Sequence, residues 1–271
     1  MTPVNDLSLH LERMEAGLED KLFFIDECEN VKHFLDFGCA NGVIIEALSK
    51  IFPDAKFYGF DANQLSLDIA RGKNIRNATF SNDIDSLMEE LYNNCIEGEK
   101  SAIILSSVIH EVMSMATYQE MGLFWKFIKR SDFTYIVIRD MAISTNTRIL
   151  TVPHEDVAKV KQKADKALLE SFTQEWGSIS GTANFIHFLL KYPYKENWAT
   201  EIKENYMVNL EVLESATLYK RSNPFSIVHY DYYMHPYIKE RVKKDFDVDL
   251  TFKTHIKMIL YDEFANKGLN G

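Results

Sequence analysis

Over roughly the first half of the chain, short apolar runs alternate with segments of helical period. This alternation constrains the fold more than any other feature. The apolar runs lie at 31–36 (VKHFLD), 55–61 (AKFYGFD), 78–81 (ATFS), 102–105 (AIIL) and 133–138 (FTYIVI). Between them, 43–52, 64–73, 86–92 and 118–129 carry apolar residues at helical spacing. Strands alternating with helices predict βαβ units, and right-handed crossovers then cover both faces of a mainly parallel, doubly wound sheet. Ligands of such sheets bind beyond the carboxyl ends of the strands.

The second half changes character. The spacing predicts a charged helix over 153–171 with Lys159, Lys161, Lys163 and Lys166, helices over 182–190 and 198–206, and a weaker one over 209–217. A strand at 225–232, a helix at 236–246 with Pro236 in its first turn, and a last strand at 254–260 follow. No internal repeat and no Gly/Ser-rich linker divides the chain. The expected α/β fold is therefore one seven-stranded sheet. Residues 1–141 and 225–271 form its core, and 142–224 form a helical insertion between the fifth and sixth strands.

Five motifs sit where strands end. In FLDFGCANG (34–42), Asp36 precedes a turn in which Gly38 and Gly42 permit backbone conformations and a close ligand approach that a Cβ blocks. The amides opening the next helix favour a carboxylate or phosphate. The three-glycine dinucleotide pattern is not matched, because Cys39, Ala40 and Asn41 fill the middle. In GFDANQ (59–64), Asp61 is placed to accept both ribose hydroxyls of an adenosine. It can equally cap the next helix, as can Asn63. In SNDID (81–85), Asp83 or Asp85 can meet an adenine amine or cap a helix. LSSVIHEV (105–112) brings Ser106, Ser107, His110 and Glu111 to the ligand edge. An unperturbed histidine titrates near neutrality, so His110 suits a general base. Glu111 can orient it or receive an amine, and simple packing is the competing role for His110. In IRDM (138–141), an Arg139–Asp140 pair can bind substrate or tie down the insertion.

In this order the motifs make the first 140 residues resemble the class I S-adenosylmethionine-dependent methyltransferases. The resemblance covers about 1–141 and 225–260, where the helix at 236–246 and THIKMIL are similar to the family's closing elements with an antiparallel last strand. It implies that Asp36, Gly38 and Gly42, with Cys39, Ala40 and Asn41, hold the methionine part of S-adenosyl-L-methionine. It makes Asp61 with Ala62 the ribose contacts and Asp83 with Ile84 the adenine side. Ser106 and Ser107 fall on the floor of the transfer site. Ala40 departs from the commoner glycine. No NPPY-type motif follows the fourth strand, which speaks against amino-directed DNA methylation. The implied reaction is direct methyl displacement, with His110, Glu111 and Arg139 as catalytic candidates and the insertion as a substrate lid. The acceptor expected is a small molecule or a protein side chain.

Charge and cysteines exclude other classes. The net charge of −10 resides in residues 1–141, with 13 Lys+Arg against 23 Asp+Glu, while 142–271 is balanced. An acidic first half argues against a large nucleic-acid footprint there. An RNA acceptor would need a basic surface within the insertion. In 185–206, Tyr192, Tyr194 and Trp198 interleave with Lys191, Lys195 and Asn197, which can stack on a base or pack a lid. Cys28, Cys39 and Cys95 lack CxxC spacing, so no disulfide framework and no metal site are expected, and a cytoplasmic setting is. No apolar run reaches the roughly 18 residues of a membrane span. The remaining alternatives are an inactive methyltransferase-like binding module, which the intact Gly38, Gly42 and Asp61 oppose, and an NAD-dependent oxidoreductase, which lacks its middle glycine and a Tyr-xxx-Lys pair.

Overall fold

In the computed structural model, which describes residues 17–218 and 225–265, seven strands form a single sheet. They are β1 (Val31–Phe37), β2 (Lys56–Phe60), β3 (Ala78–Ser81), β4 (Lys100–Ser106), β5 (Tyr135–Met141), β6 (Ser226–Tyr233) and β7 (His255–Tyr261). Their order is β3-β2-β1-β4-β5-β7-β6. The first five pair in parallel, and β7 runs antiparallel to both β5 and β6. The order reverses between β1 and β4, so a crevice opens above the carboxyl ends of these two strands.

The helices preceding β5 are α1 (Leu18–Lys21), α2 (Val43–Ile51), α3 (Gln64–Gly72), α4 (Ile84–Asn94), α5 (Ile109–Met115) and α6 (Tyr118–Arg130). Alternate strand residues feed two apolar layers, as the twofold period of a strand requires. Leu35, Ile103 and Ile136 join one layer, whereas Phe34, Ile104 and Val137 join the other. β1, β4 and β5 are buried on both faces, which explains their unbroken apolar sequence.

Between β5 and β6 lie α7 (Thr145–Arg148), α8 (His154–Lys163), α9 (Lys166–Trp176), α10 (Thr182–Lys191), α11 (Trp198–Glu201) and α12 (Leu210–Leu218). A third apolar cluster joins Phe172, Phe185, Phe188 and Tyr206 of this region to Ile238, Val242 and Phe246 of α13 (Pro236–Phe246).

Two expected helices are corrected. The single helix over 153–171 is two, because Asp165 accepts the amides of Ala167 and Leu168 and starts a new helix behind an extended Ala164. The helix over 198–206 stops at Glu201. The Glu201 carbonyl takes the Glu204 amide in a tighter turn, and side chains reach this carbonyl and the Glu204 one. Lys191 donates to the Glu201 carbonyl, and the His187 ring pairs with that of Glu204. Among the described residues no helix is long and apolar enough to cross a membrane.

Candidate functional site

The turn after β1 is shaped by residues in the left-handed region. Gly38 has φ +83°, and a Cβ there would stand 2.9 Å from Val108 Cγ2. Gly42 has φ +72° and precedes α2 without any side-chain cap, so the first amides of that helix have no side-chain acceptor. Ala40, at φ +45°, and Ser107, at φ +59°, adopt the same region without being glycine. Such backbone costs about 1–3 kcal/mol per residue and clusters at functional positions.

β1 extends to Phe37, so Asp36 lies within the strand rather than at its end, and it is 1% exposed. Burial pushes its carboxyl up to about 7, with Asp61 adding and Lys21 opposing. Three buried polar atoms at this edge have no hydrogen-bond partner: Asp36 Oδ2, Asn41 Oδ1 and Ser106 Oγ. They come from β1, from the turn after it and from the end of β4, the strands flanking the crevice. Buried polar groups are almost always paired, so three orphans at one crevice mark a place built for a polar ligand.

Asp61 follows β2. Its Oδ2 accepts the amide of Ala40 at 2.8 Å and its Oδ1 that of Asn63 at 2.7 Å. The carboxylate thus braces the glycine loop, and each oxygen keeps a further lone pair. The cap of α3 is Asn63. Ala62 is exposed beside it. Asp83 is exposed and caps α4, its Oδ1 accepting the amides of Asp85 and Ser86, and Ile84 opens that helix half-buried. Cys39 is buried, with its thiol pushed far up by burial, and is chemically inert.

Beyond β4, His110 is 4% exposed and its Nδ1 lies 2.7 Å from Asp140 Oδ1. Asp140 is fully buried and also accepts the amides of Ile109, His110 and Met141. Burial opposes a charge on His110, yet Asp140 outweighs it and holds the imidazole up at about 9. At neutral pH the pair therefore keeps its proton. No hydrogen bond joins Glu111 to His110 among the described residues. Glu111 belongs instead to an acidic group with Glu201 and Glu204, in which burial raises both the Glu111 and Glu204 carboxyls. The irregular segment after α11 reaches this spot. Asn205 N donates to Ser114 Oγ at 2.7 Å, and Ser114 Oγ donates to the His110 carbonyl at 2.6 Å.

Arg139 and Asp140 do not pair with each other. Arg139 Nε donates to Asp20 Oδ2 at 2.7 Å and its Nη1 to Ser107 Oγ at 2.7 Å. Asp20 also accepts from Tyr233 and binds Lys257 and His235. Burial opposes its charge, but Arg139, Lys257 and Tyr233 hold its carboxyl far below the usual range. The next residue, Lys21, is 9% exposed. Burial and Arg139 bring its ammonium down to about 8, while Asp36 and Asp20 sustain the charge. Sequence reasoning missed Asp20 and Lys21, since α1 is one short charged turn with no motif. Asp140 was read only as a partner of Arg139.

The sheet order, with its reversal at β1 and β4 and its antiparallel β7, is joined by sequence likeness. Ribosomal RNA large subunit methyltransferase G from Vibrio vulnificus is 33% identical over 87 residues, 32% of this chain and 22% of that protein. Over that stretch the chain is similar to a methyltransferase, and its sheet has the strand order that the resemblance in the sequence leads one to expect. The same methyltransferase from Aliivibrio salmonicida is 27% identical over 89 residues, 33% of this chain and 22% of its own. The chain thus spans about a fifth of the length of the curated relatives it matches. No family model matches it. Among solved structures, the plantazolicin methyltransferase BamL overlays with a TM-score of 0.44 at 13% identity, over 94% of this chain and 85% of that one. The methyltransferase domain of bacterial CtHen1 gives 0.46 at 9%, over 93% and 97%.

The fold brings the glycine loop, Asp61, Ser106, Ser107 and His110 to one sheet edge, with Asp83 and Ile84 at its β3 end. It does not leave the aromatic block of 185–206 free for stacking. Tyr192 packs on Phe188 and Phe246 and its hydroxyl accepts the Asp165 amide, while Trp198 donates to Ser171. Lys191 is fully buried against the Tyr206 ring.

Proposed function

We propose that the chain binds S-adenosyl-L-methionine at the β1/β4 crevice and transfers its methyl group to a small molecule or a protein side chain. The observation that carries this reading is the set of orphaned buried atoms, Asp36 Oδ2, Asn41 Oδ1 and Ser106 Oγ, beside the glycine loop. They fit the cofactor chemically. A buried carboxylate oxygen without a donor suits an ammonium, and the spare lone pairs of Asp61 suit two hydroxyls. The cofactor supplies a methyl group already activated on a sulfonium.

The protein's own part is then to bind, orient and exclude water. Gly38 and Gly42 let the backbone approach, Asp36 and Asp61 fix the ligand, and Ser106 and Ser107 form the floor. Asp83 contributes the carboxylate oxygen its cap leaves over. Alignment alone is worth on the order of 7–11 kcal/mol. His110, held protonated by Asp140, positions the loop after β4 at neutral pH and becomes available as a base as pH approaches about 9. Residues 142–224 act as a lid whose 202–206 segment closes on His110 and Glu111.

An RNA acceptor is the second reading, favoured by the ribosomal RNA methyltransferases among the sequence relatives. Calorimetry with S-adenosylhomocysteine and with NAD tests the cofactor. Binding of the first alone, weakened in Asp36→Asn, is expected. Absence of binding by either leaves a methyltransferase-like binding module. Radiolabelled methyl transfer, with the product fraction split by ribonuclease and protease, then separates the acceptors.

A further inference from the structure

The opposite edge of the sheet holds a second group of chemically active side chains. His33 stands near the start of β1, Cys95 is the residue that ends α4, and Glu99 lies in the turn before β4. His33 Nε2 and Glu99 Oε2 are 2.9 Å apart, and one ligand atom each from His33, Cys95 and Glu99 lie within 4.8 Å of one another. We propose that His33, Cys95 and Glu99 form a binding site for a zinc-class divalent metal at the amino edge of β1 and β4.

An ion pair joins His33 to Glu99, whose Oε2 also accepts the Ile96 amide at 3.2 Å, and the turn brings the Cys95 sulfur, which contacts the Ile96 and Glu99 carbonyls at 3.9 and 4.0 Å, to the same point. The donors are an imidazole nitrogen, a thiolate and a carboxylate oxygen. That set suits zinc and its borderline-soft neighbours, and disfavours magnesium and calcium. Three protein donors leave one position of a tetrahedron for water. The imidazole is also held as a ligand should be. Its Nδ1 meets the Tyr58 hydroxyl at 3.4 Å, and Asn94 Nδ2 donates to that hydroxyl at 3.3 Å, so Nε2 is the nitrogen turned to the site. His33 is 2% exposed and Tyr58 1%, which fixes both rings.

The charges balance. On binding, the Cys95 thiol gives its proton to solvent, and thiolate and carboxylate together neutralise the divalent ion. Without a cation, burial and the neighbouring Glu99 push the thiol up and keep it protonated. The sequence expectation of no metal rested on the absence of CxxC spacing. Cys95 and Glu99 share one turn, but His33 comes from β1 far away in sequence, and CxxC spacing does not detect such a set.

The test is a titration of the reduced protein with cobalt(II), a spectroscopic stand-in for zinc. One equivalent should produce the near-ultraviolet thiolate-to-cobalt charge-transfer band, and zinc should displace it. Cys95→Ser should abolish the band, and His33→Gln should weaken cobalt binding by at least about tenfold. Cys28 and Cys39 are both buried and remain in each variant as internal controls. A wild-type protein without the band, or a band that survives Cys95→Ser, overturns the proposal. Both outcomes are independent of whether the crevice at the other edge binds S-adenosylhomocysteine.

Discussion

Replacing Asp140 by Asn removes the charge from a carboxylate that accepts the amides of Ile109, His110 and Met141 and the Nδ1 proton of His110. An amide offers one acceptor oxygen, so at least one of these buried donors faces an NH2 group. Stranding a buried donor costs about 1–3 kcal/mol at any pH. A second loss depends on pH. His110 lies at about 9 instead of its ordinary 6.5. That distance corresponds to roughly 3 kcal/mol of stability. Because the folded value is raised, this contribution is complete below 6.5 and fades as pH climbs through about 9. Asp140→Asn should therefore destabilise by roughly 3 kcal/mol more at about pH 6 than at about pH 10. Urea unfolding of wild type and variant at both values gives the comparison. Groups that titrate alike in the two proteins cancel in the difference. An equal loss at both pH values would refute the coupling of His110 to Asp140.

Gly38→Ala places a Cβ 2.9 Å from Val108 Cγ2 at φ +83°. A cost of about 1–3 kcal/mol, read as a fall in Tm of several degrees, should accompany weaker S-adenosylhomocysteine binding. Lys21→Met removes the ammonium that acts on Asp36. Calorimetry should show it weakening S-adenosylhomocysteine binding more than that of methylthioadenosine, which lacks the amino-acid end. Asp20→Asn removes the common partner of Arg139, Tyr233, His235 and Lys257. Its folded value is depressed, so its stabilisation is present above 3.8 and is lost as pH falls below that. The deficit of the variant, followed by chemical unfolding, should be largest at neutral pH and close in acid.

Apolar runs were enough to place β1, β4 and β5, because strands buried on both faces leave an unbroken apolar trace, whereas the largely exposed β6 was legible from its β-branched and aromatic residues. Gly38 and Gly42 were legible because the turn carries them through left-handed backbone that few residues tolerate, while Asp36 and Asp61 were legible only as acids near the ends of apolar runs. What lay hidden depends on contacts distant in sequence. Asp20 meets Arg139 across 119 positions, and His110 meets Asp140 across 30. Neither pairing leaves a local pattern. The break at Asp165 was legible in principle, since an aspartate followed by apolar residues is a cap signal, but the helical period on both sides masked it. The end of α11 at Glu201 was not, because it depends on Lys191 and His187 reaching across from α10.

Arg139 and Asp140 are neighbours on β5 that serve opposite sides of the sheet, one binding α1 and the other the loop after β4. Their division of labour rests on register alone. A single residue inserted or deleted ahead of them in β5 would exchange the two charges between faces. Arginine would then confront His110, and aspartate would confront Asp20. A change in the length of β5 should therefore cost more than a substitution along its apolar part. Divergent copies of this chain should tolerate substitution along the apolar part of the strand far more readily than any change in its residue count.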